Sequence, residues 1–175
     1  MNIDFIRDHI MYVAIFGTFA TVWFGWAQEN PPKKMRGWLI AGSVLSFLTA
    51  FIGIYLAATH WHDATALSSR DAYIQLGVVV AAELALGGIG AFVLAKRFKQ
   101  FIASWIAFVV GLHFIPLSWI FFDIYLSVLG AMVMTIAGFS VFFYKKTKLS
   151  ASFLTGSLTG IALLTFALLQ LLFIW

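Results

Sequence analysis

The sequence predicts an all-α integral membrane protein: six transmembrane helices in three antiparallel hairpins, with both termini extracytoplasmic. Three observations carry this reading. Of the 175 residues, 62% are hydrophobic and only 10% charged, against roughly a quarter charged in an ordinary soluble domain, and the mean hydropathy is +0.97. Six apolar runs reach the length of about 20 residues that a helix needs to cross a hydrocarbon core. Nine of the eleven Lys and Arg residues fall in three short connections, which alternate with connections almost free of them. So little polar surface excludes a water-soluble catalytic fold, a nucleic-acid-binding domain and a disordered chain. Spanning β-strands would need segments of about 9–11 residues alternating apolar and polar, and the sequence has no such pattern.

The first span is expected over residues 10–28. Asp4, Arg7 and Asp8 precede it and no small-residue cleavage site follows, which reads as a retained helix rather than a signal peptide. Asn30-Pro31-Pro32 turns the chain towards Lys33, Lys34 and Arg36, and the second span covers 37–59. Residues 60–71 form the longest polar piece, too short for a domain of its own. The third span, 72–95, ends at Lys96-Arg97-Phe98-Lys99, a link short enough to make the fourth span, 100–122, its antiparallel neighbour. Asp123 stands where its carboxylate can cap the fifth helix, 124–144, against unpaired N–H groups and the positive end of the helix dipole. Lys145, Lys146 and Lys148 lead to the sixth span, 149–175.

Basic flanks are retained on the cytoplasmic side. The clusters after spans 1, 3 and 5 therefore predict cytoplasmic loops in a multi-pass protein of the cell membrane, with the 2–3 and 4–5 links outside. The same placement accounts for the net charge of +4 as a topology signal, so the lipid bilayer is the expected partner and nucleic acid is not. Trp23, Trp26, Trp38, Trp61, Trp119 and Trp175 lie near span ends, where an amphipathic ring suits the headgroup level. Small residues spaced by four let helices approach closely in lipid. Such ladders occur at Gly17–Thr21–Gly25, Gly42–Ser46–Ala50, Gly77–Ala81–Ala85 and Gly156–Gly160. They predict a compact bundle, with the last pair alternatively serving a homo-oligomer.

An ionisable group inside hydrocarbon costs about 2.5–3.5 kcal/mol even on the more lenient scales, so one found there is a functional-site hypothesis. Glu83 falls near the midpoint of span 3 and His113 at similar depth in span 4, three residues before Pro116. That proline has no N–H to give and frees the Leu112 carbonyl, so a kink is expected. Gln75 outward and Gly87 and Gly90 inward are read as sharing the Glu83 stripe, and Trp105 is the tryptophan set well inside a span. Glu83, His113, Gln75 and Trp105 are thus the candidate ligand-binding residues, at the floor of a cavity opening outward. The other histidines, with Asp8, Asp63, Asp71, Asp123 and Gln170, gather in the outer half as a polar vestibule.

The weak metal candidates are His60, His62 and Asp63, since imidazole and carboxylate suit zinc or copper; histidines two apart align only in an extended segment, and a solvated loop is the preferred reading. Haem commonly takes a histidine pair from facing helices, whereas His113 alone lies well inside, so no cofactor is predicted. The chain has no H-E-x-x-H, G-x-S-x-G or P-loop pattern, and zero cysteines remove thiolate chemistry. The expectation is a small membrane protein that binds or transports a small polar molecule, cation or proton through the Glu83–His113 cavity. The alternatives are an accessory or structural subunit binding another membrane protein or lipid, and a membrane-embedded metal or haem enzyme.

Overall fold

Long apolar runs broken by Pro-, Lys- and Asp-bearing links fold as six helices. The computed structural model describes residues 5–147 and 149–173; Asp4, Lys148 and Trp175 lie outside them. Among the described residues there is no strand. The helices are α1 (Ile6–Ala27), α2 (Arg36–Thr59), α3 (Arg70–Ala95), α4 (Ile102–Ile120), α5 (Ile124–Tyr144) and α6 (Ala151–Phe173), with 3-10 turns at Lys33–Met35 and Lys99–Phe101 leading into α2 and α4. Each of the six is long and apolar enough to cross a membrane.

The largest boundary difference is at α1, which starts four residues before the expected span and so brings Arg7, Asp8 and His9 into the helix. Burying such a turn is costly unless its polar groups find partners, and here they do. His9 Nδ1–H donates to Gln170 Oε1 of α6 at 2.8 Å. Asp8 accepts from the Thr65 hydroxyl at 2.6 Å and from the Ala66 N–H at 2.7 Å.

Between α4 and α5 the reversal takes three residues. The Phe121 N–H donates to the Leu117 carbonyl and the Asp123 N–H to the Ser118 carbonyl, both at 2.9 Å, with Phe122 at φ 52° between them. This six-to-one closure needs a left-handed residue after the helix cap, a position that usually selects glycine. Asp123 then caps α5, its Oδ1 accepting from the Tyr125 N–H at 3.0 Å.

Contacts between links fix the two ends of the bundle. Ser150 donates to the Asn30 carbonyl and the Phe101 and Tyr144 rings meet edge-on at 5.3 Å, which gathers the three Lys/Arg-bearing links at one end, here the basic end. At the opposite end Asp8 holds the 2–3 link, and Phe5 lies 6.4 Å from Phe122 of the 4–5 link.

Packing does not simply follow the chain hairpins. The most extensive contacts join α1 with α2, α1 with α6 and α4 with α5, while the α5–α6 hairpin is slighter. Glycines make the tight seams possible. A Cβ added at Gly17 would lie 2.6 Å from the Ala50 backbone nitrogen, and one added at Gly53 would collide with the Ala14 backbone, so α1 and α2 touch main chain to main chain. Gly111 and Gly130 do the same for α4 and α5, and Gly156 lies against Trp23 and Ala27 of α1. Phe24 is held between Gly42 and Gly160, so the Gly156–Gly160 pair faces inward against α1. Some interior hydroxyls pair across helices: Ser104 meets Thr155 at 2.8 Å across α4 and α6, and Ser127 donates to Ser118 at 2.6 Å across α5 and α4, whereas the buried Ser43 and Thr159 hydroxyls have no hydrogen-bond partner among the described residues.

Burial is uneven. α1 and α6 form the centre, whereas α3 has a single buried residue among those described, Gly87, and packs chiefly on α4.

Candidate functional site

Along α3 the inward positions are Leu76, Val79, Glu83, Gly87 and Gly90, steps of three and four that keep one helix face towards α4. Glu83 therefore points at α4, where His113 meets it: Nε2 lies 3.5 Å from Glu83 Oε2, with side chains 13% and 21% exposed for His113 and Glu83. The spacing exceeds a good charge-assisted hydrogen bond of about 2.7–2.9 Å, so the pair is adjacent but open. His113 is oriented from behind, because its Nδ1–H donates to the Val110 carbonyl at 2.7 Å and its ring leans on Phe114 at 4.6 Å between centroids. With Nδ1 committed to that carbonyl, Nε2 is the nitrogen left to exchange a proton with Glu83.

Glu83 and His113 lie on the wall of a cavity of about 410 Å³ between α1 and the α3–α4 pair. Its α1 wall runs from Arg7 to Trp23, about 24 Å along the helix axis, and carries Tyr12, Phe16 and Phe19; Phe114 and Phe121 add aromatic surface from the other side. Arg7, Asp8 and Thr65 stand at the end opposite the basic links. Ile15, Phe19 and Val80 are exposed as well as lining, which opens the cavity sideways between α1 and α3. Chemically it is an apolar slot with one carboxyl–imidazole pair part of the way down and, at the end opposite the basic links, Asp8 bonded to Thr65 and Ala66 and Arg7 stacked on Trp61.

Two sequence candidates have other surroundings. Gln75 is exposed and is not among the cavity-lining residues. Trp105 lies over Gly90, where any side chain would collide with its indole, and its Nε1–H donates to the Leu86 carbonyl at 3.1 Å. The bare Gly87–Gly90 stripe thus receives a neighbouring tryptophan, and the indole serves to seat α3 on α4. His60 Nδ1 lies 3.0 Å from both the Leu56 carbonyl and the Thr59 hydroxyl, and His62 is exposed. Among the described residues no three His, Asp or Glu side chains gather as a metal would need.

Sequence reasoning missed the contribution of α1. Its wall positions 8, 12, 16, 19 and 23 follow helical spacing behind an aspartate in the first turn, a signal hidden because the rest of α1 is equally apolar. Also missed was the folding of the 2–3 link over the Arg7 end of the cavity, where Thr65 and Leu67 join the wall and the Arg7 guanidinium sits 4.1 Å above the Trp61 ring.

Comparison with protein-family models, curated proteins and solved structures gives no match for this chain.

Proposed function

We propose that this is a small-molecule-binding protein of the cell membrane whose cavity takes a ligand with an apolar body, its polar group held by Glu83 and His113. The observation that supports the reading most is the joint position of the pair on one cavity wall otherwise dominated by aromatic and aliphatic side chains. A small hydrated ion would find few partners in such a slot, whereas a molecule with apolar bulk gains from the walls and needs only one polar anchor. The positive-inside rule favours a cytoplasmic basic end, external termini and a cavity that opens outward. Proton exchange at the pair gives this binding protein a route to transport.

The native chain lacks cysteine, so single cysteines test the reading cleanly. Val110 lines the cavity and Leu112, two residues on, is exposed without lining it. In vesicles, Val110→Cys is expected to react with N-ethylmaleimide at least tenfold faster than Leu112→Cys, since a thiol among acyl chains stays protonated and inert, and 1-adamantanol should slow the Val110→Cys reaction. Equal rates, or no protection, would remove the ligand site. With an impermeant maleimide on intact cells, Ala64→Cys should label and Asn30→Cys should not; the reverse pattern would invert the sidedness.

A second reading, an accessory subunit, is favoured by α3. Beyond the local helix backbone nothing lies near an added Cβ at Gly77 or Gly88, and Ala81 and Ala85 between them are exposed, leaving a flat helix face suited to another membrane helix. Cross-linking through Ala81→Cys to a co-purifying membrane protein would support it.

A further inference from the structure

The chemistry of the pair selects among ligands that fit the slot. His113 Nδ1 keeps its proton on the Val110 carbonyl at 2.7 Å, so a neutral ring presents Nε2 to the cavity as an acceptor. Glu83 Oε2, 3.5 Å away, is an acceptor when ionised. Two acceptors at this separation want a donor between or beside them, and one proton satisfies both.

The remaining charges on the wall give that proton its meaning. Arg7, Asp8 and Tyr12 face the cavity from α1, Glu83 from α3 and His113 from α4; the lining residues of the 2–3 link, α5 and α6 are Thr65, Leu67, Leu126 and Leu163, none of them titratable. Arg7 and Asp8 carry opposite formal charges that sum to zero. The site is then neutral when Glu83 and His113 share one proton and carries one negative charge when they hold none. A second proton makes it positive. Within lipid the neutral state costs least. A cation that donates an N–H can take the place of the shared proton and leave the charge unchanged, while Tyr12, Phe16 and Phe114 offer ring faces to its apolar body and positive charge.

We propose that the cavity binds protonated amines carrying an apolar group, one amine exchanging for one proton at Glu83–His113. This rests on the ligand-binding reading above and names its substrate class. In the exchange the Glu83 O–H or His113 Nε2–H bond breaks and its proton passes to water and then to buffer, while the ammonium keeps its own N–H bonds and donates through them to Glu83 Oε2 and His113 Nε2.

The test uses the full chain in phosphatidylcholine nanodiscs, titrated calorimetrically with 1-adamantylamine and with the neutral 1-adamantanol, in phosphate and in Tris, against protein-free discs. Both compounds are compact and apolar, and the amine is protonated at neutral pH. The amine should release close to one proton per molecule bound, with an affinity that rises by up to about tenfold per pH unit while the pair holds its proton, as one-proton linkage requires. The alcohol should bind with no proton release and no such slope. Glu83→Gln should weaken the amine at least tenfold and end its proton release, while the alcohol, which can still donate to His113 Nε2 and keeps the apolar wall, loses no more than about threefold; a monodisperse profile in detergent shows separately that the variant is folded. An amine that releases no proton, or that binds Glu83→Gln as well as wild type, overturns the exchange and leaves the cavity reading standing if the alcohol binds. If neither compound binds wild type, both readings fall.

Discussion

Replacing Gly53 with alanine is expected to destabilise the bundle by about 2–3 kcal/mol, the upper range for overpacking, or to prevent folding. The single added methyl would enter the Ala14 and Val13 main chain, and the reciprocal contact, Gly17 against Ala50, leaves α1 no room to slide. Side chains can rotate away from an intruding atom; two helix backbones can only separate. Separation would also open the seam that seats α1, the helix shared by α2 and α6. In lipid this loss is not recovered elsewhere, since close packing rather than a hydrophobic gradient holds the helices together. Gly77→Ala and Gly138→Ala are the matched comparisons, because beyond the local helix backbone nothing lies within 4 Å of an added Cβ at either. They should be neutral or gain up to about 1 kcal/mol from the better helix propensity of alanine. Thermal loss of the monodisperse protein in detergent ranks the three, and a Gly53→Ala midpoint equal to that of Gly77→Ala would show that the α1–α2 seam tolerates a wider spacing.

The same contrast explains how much could be read before the fold was known. Span number and approximate bounds follow from hydropathy and basic links, and α5 matches its expected residues, 124–144, because Asp123 caps one end and lysines follow the other. The partner of each helix was not legible. Gly42–Ser46–Ala50 and Gly77–Ala81–Ala85 have the same pattern, yet the first lies against α1 and its Phe24 while the second faces open space. A sequence apolar all round has no polar face to mark which side is buried. Depth was easier than direction. Glu83 and His113 were matched by counting residues and do meet, but the eight-residue step to Gln75 turns about 80° on a helix, enough to carry its amide off the α4-facing stripe. Trp105 looked like a ligand contact because it sits mid-span; its environment depends on Gly90 lying beneath it, a relation across two helices that spacing within either one cannot reveal.

Asp8→Ala is expected to free the 2–3 link while leaving the six helices folded. The carboxylate is 5% exposed and accepts from both the Thr65 hydroxyl and the Ala66 N–H; Thr65 in turn accepts from the Leu67 N–H at 3.1 Å, so one side chain organises three consecutive residues. Without it, each donor kept in place would be buried unpaired at about 1–3 kcal/mol. Lifting the link into water avoids that penalty and forfeits only the small apolar contact of Ala66 and Leu67 and the Arg7–Trp61 stacking, about 0.5–1 kcal/mol at an exposed site. Opening is therefore the cheaper response. Ala66 is buried in the native link, and the reaction of Ala66→Cys with an impermeant maleimide reads the opening directly. Asp8→Ala should speed it by at least tenfold, and Asp8→Asn by less, because the amide oxygen still accepts one of the two donors while the amide nitrogen faces the other. Thr65 and Leu67 belong to the cavity wall, so the same variant should shorten the time 1-adamantanol takes to protect Val110→Cys. An unchanged Ala66→Cys rate would assign the tethering to Arg7 and Trp61 instead, and Trp61→Ala would then produce the acceleration that Asp8→Ala did not.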